Sequence, residues 1–197
     1  MPRGFTPTQT QNITRRLMDA AREMAQQTGV RKTSVESLTR AANISTGAFY
    51  HFFPSKEALF FRVFEELETS LKDEFLDLIE PLPHGDRSAL KQAVMTMLSS
   101  EKMNRLVSFI RREEMDYLLL NLEPASLLEH QQSDREYMQQ VLDILSLRGF
   151  RSTGDASRVN NYIQALFLLM FDRSQFQPDA DRILSSFVGA MLTDLFG

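Results

Sequence analysis

The chain has 197 residues, 43% hydrophobic and 24% charged, with a formal net charge of −4, which suits one large domain or a small module joined to a bigger body. It contains no cysteine, so disulfides, thiolate metal sites and thiol redox sensing are excluded together. No segment reaches the roughly 18 consecutive apolar residues of a membrane span, and the N-terminus lacks the apolar core of a secretory signal, so a cytoplasmic protein is expected.

The first 56 residues carry eight basic and three acidic side chains, which leaves fourteen basic against twenty-three acidic for the rest. A small basic module on an acidic body is one reading, since a basic patch attracts a polyanion. Chance clustering on solvated helix faces is the other. Val, Ile and Thr nowhere alternate with polar residues over a strand length, whereas apolar residues recur at three and four, so an all-α chain is expected.

The stripe Ile13, Leu17, Ala20, Ala21, Met24 predicts a first helix over 12–27, ended by Gly29 in a left-handed conformation. Thr33 or Ser34 can cap a second, two-turn helix whose apolar stripe is Val35, Leu38 and Ala42. Asn43 tolerates positive φ, Ile44 points inward, and Ser45 can cap a third short helix through Phe52. Pro54 forbids simple continuation, and Ser55 can cap a long helix to about residue 80.

Two short helices joined by a tight turn and preceded by a packing helix describe a helix-turn-helix, whose second helix enters the DNA major groove. One face of that helix must pack and the other must meet DNA. Phe49, Phe52 and Phe53, with no polar atom, are the packing candidates. Tyr50 and His51 can donate to phosphate oxygens, and Thr46, Gly47 and Ala48 stand at the helix start, where base edges are approached. Gly47 lets the backbone come close, and Lys56 at a helix N-terminus is a natural phosphate seat. Arg3 could reach a minor groove as other N-terminal arms do, a disordered tail being the plainer reading.

The run Thr33-Ser-Val-Glu-Ser-Leu38, followed by Ala41-Ala-Asn-Ile-Ser-Thr-Gly-Ala-Phe-Tyr-His-Phe-Phe-Pro-Ser-Lys-Glu-Ala-Leu59, resembles the DNA-binding segment of the TetR family of transcriptional regulators. With the first helix it covers about the first quarter of the chain. The resemblance implies an N-terminal three-helix DNA-binding domain, 1–54, and a larger helical domain, 55–197, that dimerises and usually holds a small-molecule pocket. It implies that Ser45, Thr46, Gly47, Phe49, Tyr50, His51 and Lys56 face DNA, with Thr33 on the phosphates. Thr46 stands where the family often has a basic residue, and Asn43 where it often has glycine.

Beyond the turn at Pro81-Leu-Pro83-His-Gly85, further helices are expected over 86–99, 101–120, 124–148, 155–173 and 178–196, about nine in all. The segment Ala165 to Phe171 is apolar all round, and Leu184, Phe187, Val188, Met191 and Leu195 line one face of the last helix. A four-helix contact between two copies would cover these surfaces, using also Leu166, Phe167 and Met170. Candidate ligand residues in the body are Phe109, Tyr117, Tyr137, Tyr162 and Phe167, although aromatics at helical spacing are more often plain core. Glu114 falls on the stripe of Met103, Val107, Ile110, Tyr117 and Leu118, so it is expected to face the interior. It would there need a cationic ligand or an arginine such as Arg111.

Neither a metal site nor a cofactor is expected. The three histidines are scattered, and no nucleophile elbow, Walker loop or dinucleotide motif occurs, so the chain does not read as an enzyme. The expected function is a homodimeric repressor released from a palindromic operator by an unknown small-molecule effector. A DNA-bound protein of the same fold that recruits a protein partner, as in chromosome organisation, is the alternative.

Overall fold

The computed structural model describes residues 5–109, 112–152 and 156–197. Arg3, Ile110 and Arg111, each given a place above, lie outside the described residues. The described residues form ten α-helices, with no strand among them: α1 Pro7–Gln27, α2 Val35–Ala41, α3 Thr46–Phe49, α4 Lys56–Ile79, α5 Arg87–Leu98, α6 Glu101–Phe109, α7 Arg112–Leu120, α8 Pro124–Leu147, α9 Ala156–Phe171 and α10 Ala180–Phe196. A short 3-10 turn, Arg173–Phe176, precedes α10. None of the helices is long and apolar enough to cross a membrane.

Most helix ends follow from local chemistry. α1 starts five residues earlier than expected because Thr6 and Gln9 form a reciprocal capping box and Pro7 occupies the first turn, where its missing N–H costs nothing. α2 is capped by Ser34, whose hydroxyl accepts from Ser37 N. Its C-terminus closes with Asn43 at φ +53°, Ile44 N donating to Thr39 O and Asn43 N to Arg40 O; this double closure needs a left-handed residue, a role asparagine fills second only to glycine. Ser45 caps α3 by accepting from Ala48 N. The α-helix there ends at Phe49 rather than Phe52, and the next residues form turns, with His51 N bonding Ala48 O and Phe52 N bonding Phe49 O. Ser55 caps α4 through Ala58 N, as its place after Pro54 predicts. Over 101–120, where one helix was expected, α6 and α7 are the helical residues described on either side of 110–111.

The chain forms two compact units. The first takes the described residues of Met1–Glu68 and Ser108–Leu127, the second those of Thr69–Val107 and Leu128–Gly197. α4 continues the first unit to Glu68, and the segment containing α7 joins it from far along the chain.

The core of the first unit is built from Leu17 and Ala21 of α1, Leu38 of α2, Phe49 of α3, Leu59, Phe60 and Val63 of α4, and Phe109 and Leu118 from the returning segment. In the second unit, Leu90, Val94 and Leu98 of α5 are buried, as are Leu184, Val188 and Leu195 of α10, and α5 packs on α10. Burying side chains of this size stabilises by about 1.5–3 kcal/mol each before chain entropy is counted.

Candidate nucleic-acid interface

The short third helix exposes one face and buries the other. Phe49 is fully buried, with its ring 6.1 Å from Phe53. This corrects its assignment to the DNA side; a ring with no polar atom, at the base of a four-residue helix, is what anchors α3 in the first unit's core. Ser45, Thr46, Gly47 and His51 are exposed, and Tyr50 is 58% exposed, standing edge-on against Phe49 at 5.3 Å. Nothing lies within 4 Å of where a Cβ of Gly47 would stand. A glycine inside a helix costs about 0.5–1 kcal/mol relative to alanine, and the surrounding protein gives no packing reason for it. Phe5, outside every sequence-level expectation, lies 5.1 Å from the Phe52 ring and 6.5 Å from His51, so the residue before the α1 cap braces the end of the reading helix.

Two further residues assigned to DNA serve another purpose. The Thr33 side chain is buried, its hydroxyl donating to Gly29 O at 2.7 Å and lying 3.0 Å from the Thr28 hydroxyl. It cannot also meet a phosphate. Lys56 directs its ammonium at the backbone carbonyls of Val30 (2.9 Å), Arg31 (3.0 Å) and Thr33 (2.8 Å), and its side chain is only 16% exposed. An ammonium has three protons, and all three are used. Lys56 is therefore a clasp on the α1–α2 connection rather than a phosphate seat.

The same connection is gripped from its other side. The Glu114 carboxylate accepts from Val30 N at 2.9 Å and from Arg31 N at 3.4 Å, so backbone amides of its own chain stand where a ligand cation was expected. Gly29 (φ +82°) leaves the necessary space, since a Cβ there would stand 2.2 Å from Glu114 Oε1. One turn along α7, the Tyr117 hydroxyl donates to Glu57 at 2.7 Å, and its ring lies under the Arg31 guanidinium at 5.0 Å and near Lys56 Nζ at 5.9 Å. Tyr117 stays protonated to higher pH than an ordinary tyrosine. The main cause is the hydrogen bond to Glu57, followed by burial and the Glu57 charge, with Arg31 opposing. Tyr117 is thus a link to the reading head and not a ligand group. Phe109 is likewise removed from the ligand set, being buried in the first unit's core 6.4 Å from Phe60.

In the second unit, Tyr137 lies under Lys72 Nζ at 5.3 Å while Lys72 pairs with Asp134 at 2.6 Å. Tyr162 donates to Asp194 at 3.1 Å, with its ring against Phe187, and half-buried Phe167 lies tilted against Phe171 at 6.5 Å. Each of the three has partners of its own. Of the residues expected to meet a second copy, Leu166, Met170, Leu184, Val188, Met191 and Leu195 are buried within the single chain. The strongest apolar stripe of a helix turns to its own core first. The outward apolar side chains are Leu168 on α9 and Ile183 on α10, flanked by half-buried Phe167 and Phe187.

A buried aromatic anchor, a turn closed by Asn43 and an exposed polar face make the N-terminal segment a helix-turn-helix of the DNA-binding type. Residues 17–63 match the model described as bacterial regulatory proteins, tetR family, so this N-terminal segment carries a helix-turn-helix of the TetR type, and the matches below support a TetR-family transcriptional regulator rather than an enzyme. The HTH-type transcriptional regulator BetI of Escherichia coli (strain K12 / DH10B) is 29% identical over 106 residues, 50% of this chain and 54% of that protein. BetI of Klebsiella pneumoniae (strain 342) is 28% identical over 101 residues, 48% and 52% of the two. The chain thus spans about half the length of these relatives. For the fold, a TetR-family regulator from Mesorhizobium loti MAFF303099 superposes with TM-score 0.63 at 19% identity, covering 98% of this chain and 100% of that one. The fatty acid degradation regulator FadR from Bacillus halodurans gives 0.59 at 15%, covering 96% and 97%.

Proposed function

We propose that the protein is a homodimeric repressor that reads a palindromic operator with α3 and is released from it by a small molecule, acting in the cytoplasm. Segment 1–54 would supply the reading residues, and 55–197 the dimer contact and effector site. The observation that carries the DNA assignment is the exposed set Ser45, Thr46, Gly47, Tyr50 and His51 on a short helix anchored by buried Phe49. Gly47 supports it further, because a helix-weakening residue with open space around it suits close approach of a base edge or phosphate.

A dimer is supported by the outward apolar residues Leu168 and Ile183, with Phe187 and exposed Ala190 continuing the α10 stripe. Two copies related by a two-fold axis would place two reading helices about 34 Å apart, or a multiple, in successive major grooves. An effector site is supported by Glu74 Oε2 on α4, which is buried and has no hydrogen-bond partner among the described residues. A ligand N–H or O–H would satisfy it. Footprinting on the DNA flanking the protein's own coding sequence tests the reading: two protected half-sites one helical turn apart support it, and uniform protection contradicts it. A single-chain mass in sedimentation at micromolar concentration would contradict the dimer.

A further inference from the structure

We infer that Glu114 is a positioning residue for DNA reading, a carboxylate on α7 that fixes the α1–α2 connection and through it the orientation of the helix-turn-helix. The inference rests on the proposed DNA-binding function. Residues 28–34 link the packing helix to α2, so the dihedral angles of this short stretch decide where α2 and α3 point. Glu114 holds two of its N–H groups, at Val30 and Arg31, while Lys56 holds the carbonyls of Val30, Arg31 and Thr33. One anion and one cation therefore grip the two polar edges of the same backbone segment. Both bonds to Glu114 involve an ionised acceptor, the stronger class of hydrogen bond.

Three features distinguish this contact from an incidental one. Glu114 reaches across 84 positions in sequence to Val30. The space it occupies exists only because residue 29 has no Cβ. Its neighbour Tyr117 repeats the connection, donating to Glu57 at 2.7 Å and lying under the Arg31 guanidinium at 5.0 Å, while Glu57 also pairs with Lys56 at 4.0 Å. The segment holding α7 is joined to the second unit by the chain at 107–108 and at 127–128. A rearrangement of the second unit thus has two covalent routes to the residue that sets the reading head.

The test uses full-length wild type, Glu114→Ala and Glu114→Gln, with a duplex recovered by site selection on the wild type. The alanine variant is expected to bind that duplex about tenfold more weakly, and the glutamine variant, which keeps one acceptor oxygen, by an intermediate factor. The slope of log affinity against log salt should not change, because no phosphate contact is lost. Amide exchange at Val30 and Arg31 should quicken in both variants. Affinity of the alanine variant within twofold of wild type, or unchanged exchange at the two amides, would overturn the inference. A wild type that selects no sequence would instead remove the DNA-binding function, and the positioning role with it.

Discussion

Gly29→Ala probes the clasp from the side that has no functional group of its own. Two costs follow from the geometry. At φ +82° an L side chain is strained, by about 1–2 kcal/mol. The new Cβ would also stand 2.2 Å from Glu114 Oε1, so the carboxylate must leave and its bonds to Val30 N and Arg31 N are lost. One of those bonds is long, at 3.4 Å, and Glu114 is only half-buried, so the second cost lies near the bottom of the range for charged hydrogen bonds, about 1.5 kcal/mol. The total is about 3 kcal/mol. With Glu114 already replaced by alanine, the second cost vanishes and Gly29→Ala should cost only about 1–2 kcal/mol. Urea unfolding of the four proteins of the cycle, followed by far-ultraviolet circular dichroism, should therefore give a coupling of about 1.5 kcal/mol. Additivity within about 0.5 kcal/mol would refute the reasoning, because it would mean that the carboxylate does not depend on the empty space at residue 29.

Lys56→Met should lower stability by about 2–3 kcal/mol, as three carbonyls lose a charged donor, yet leave the salt slope of DNA binding unchanged; a slope shallower by about one would restore Lys56 to the phosphates. Gly47→Ala should stabilise the free protein by about 0.5–1 kcal/mol while weakening operator binding severalfold, and equal or tighter binding would mean that α3 approaches DNA less closely than proposed. Glu74→Leu should raise stability by about 1 kcal/mol by removing an unsatisfied buried oxygen, measured as an increased urea midpoint; a lower midpoint would show that the carboxylate already has a partner in solution. Alkaline titration gives the sign for Tyr117: its pKa is raised on folding, so its contribution is complete below the ordinary tyrosine value of 10.0 and declines as pH rises past it. Tyr117→Phe should make stability less pH-dependent there.

The reading head was legible because its signals are local. Ser34, Asn43, Ser45, Pro54 and Ser55 each act on backbone groups within a few positions, the spacing of apolar residues identified Leu17 and Leu38 as packing groups, and the lack of a polar atom did the same for Phe49, Phe52 and Phe53. What failed concerned polar side chains whose partners come from afar. Lys56 meets carbonyls 23 to 26 positions away, and Glu114 meets amides 83 and 84 positions away; no periodicity tells a phosphate seat from a backbone clasp. Phe49 was assigned to DNA by family position against the physical argument that an apolar ring should pack, and the physical argument was correct. The α1 start was readable and missed: Thr6-Pro7 followed by Gln9 is a capping box with proline in the first turn. On α10 the strongest stripe was taken for a partner surface, although a helix with two apolar faces satisfies its own chain first.

Selection of binding sites from random duplex DNA by the purified full-length protein, with Tyr50→Phe and Thr46→Ala variants alongside, tests the central claim most directly. An enriched imperfect palindrome, whose inner positions become less defined when Tyr50 or Thr46 is changed while both variants keep wild-type stability, is the predicted result. No enrichment, with weak binding that vanishes at moderate salt, would contradict it and leave the exposed face of α3 without a sequence to read.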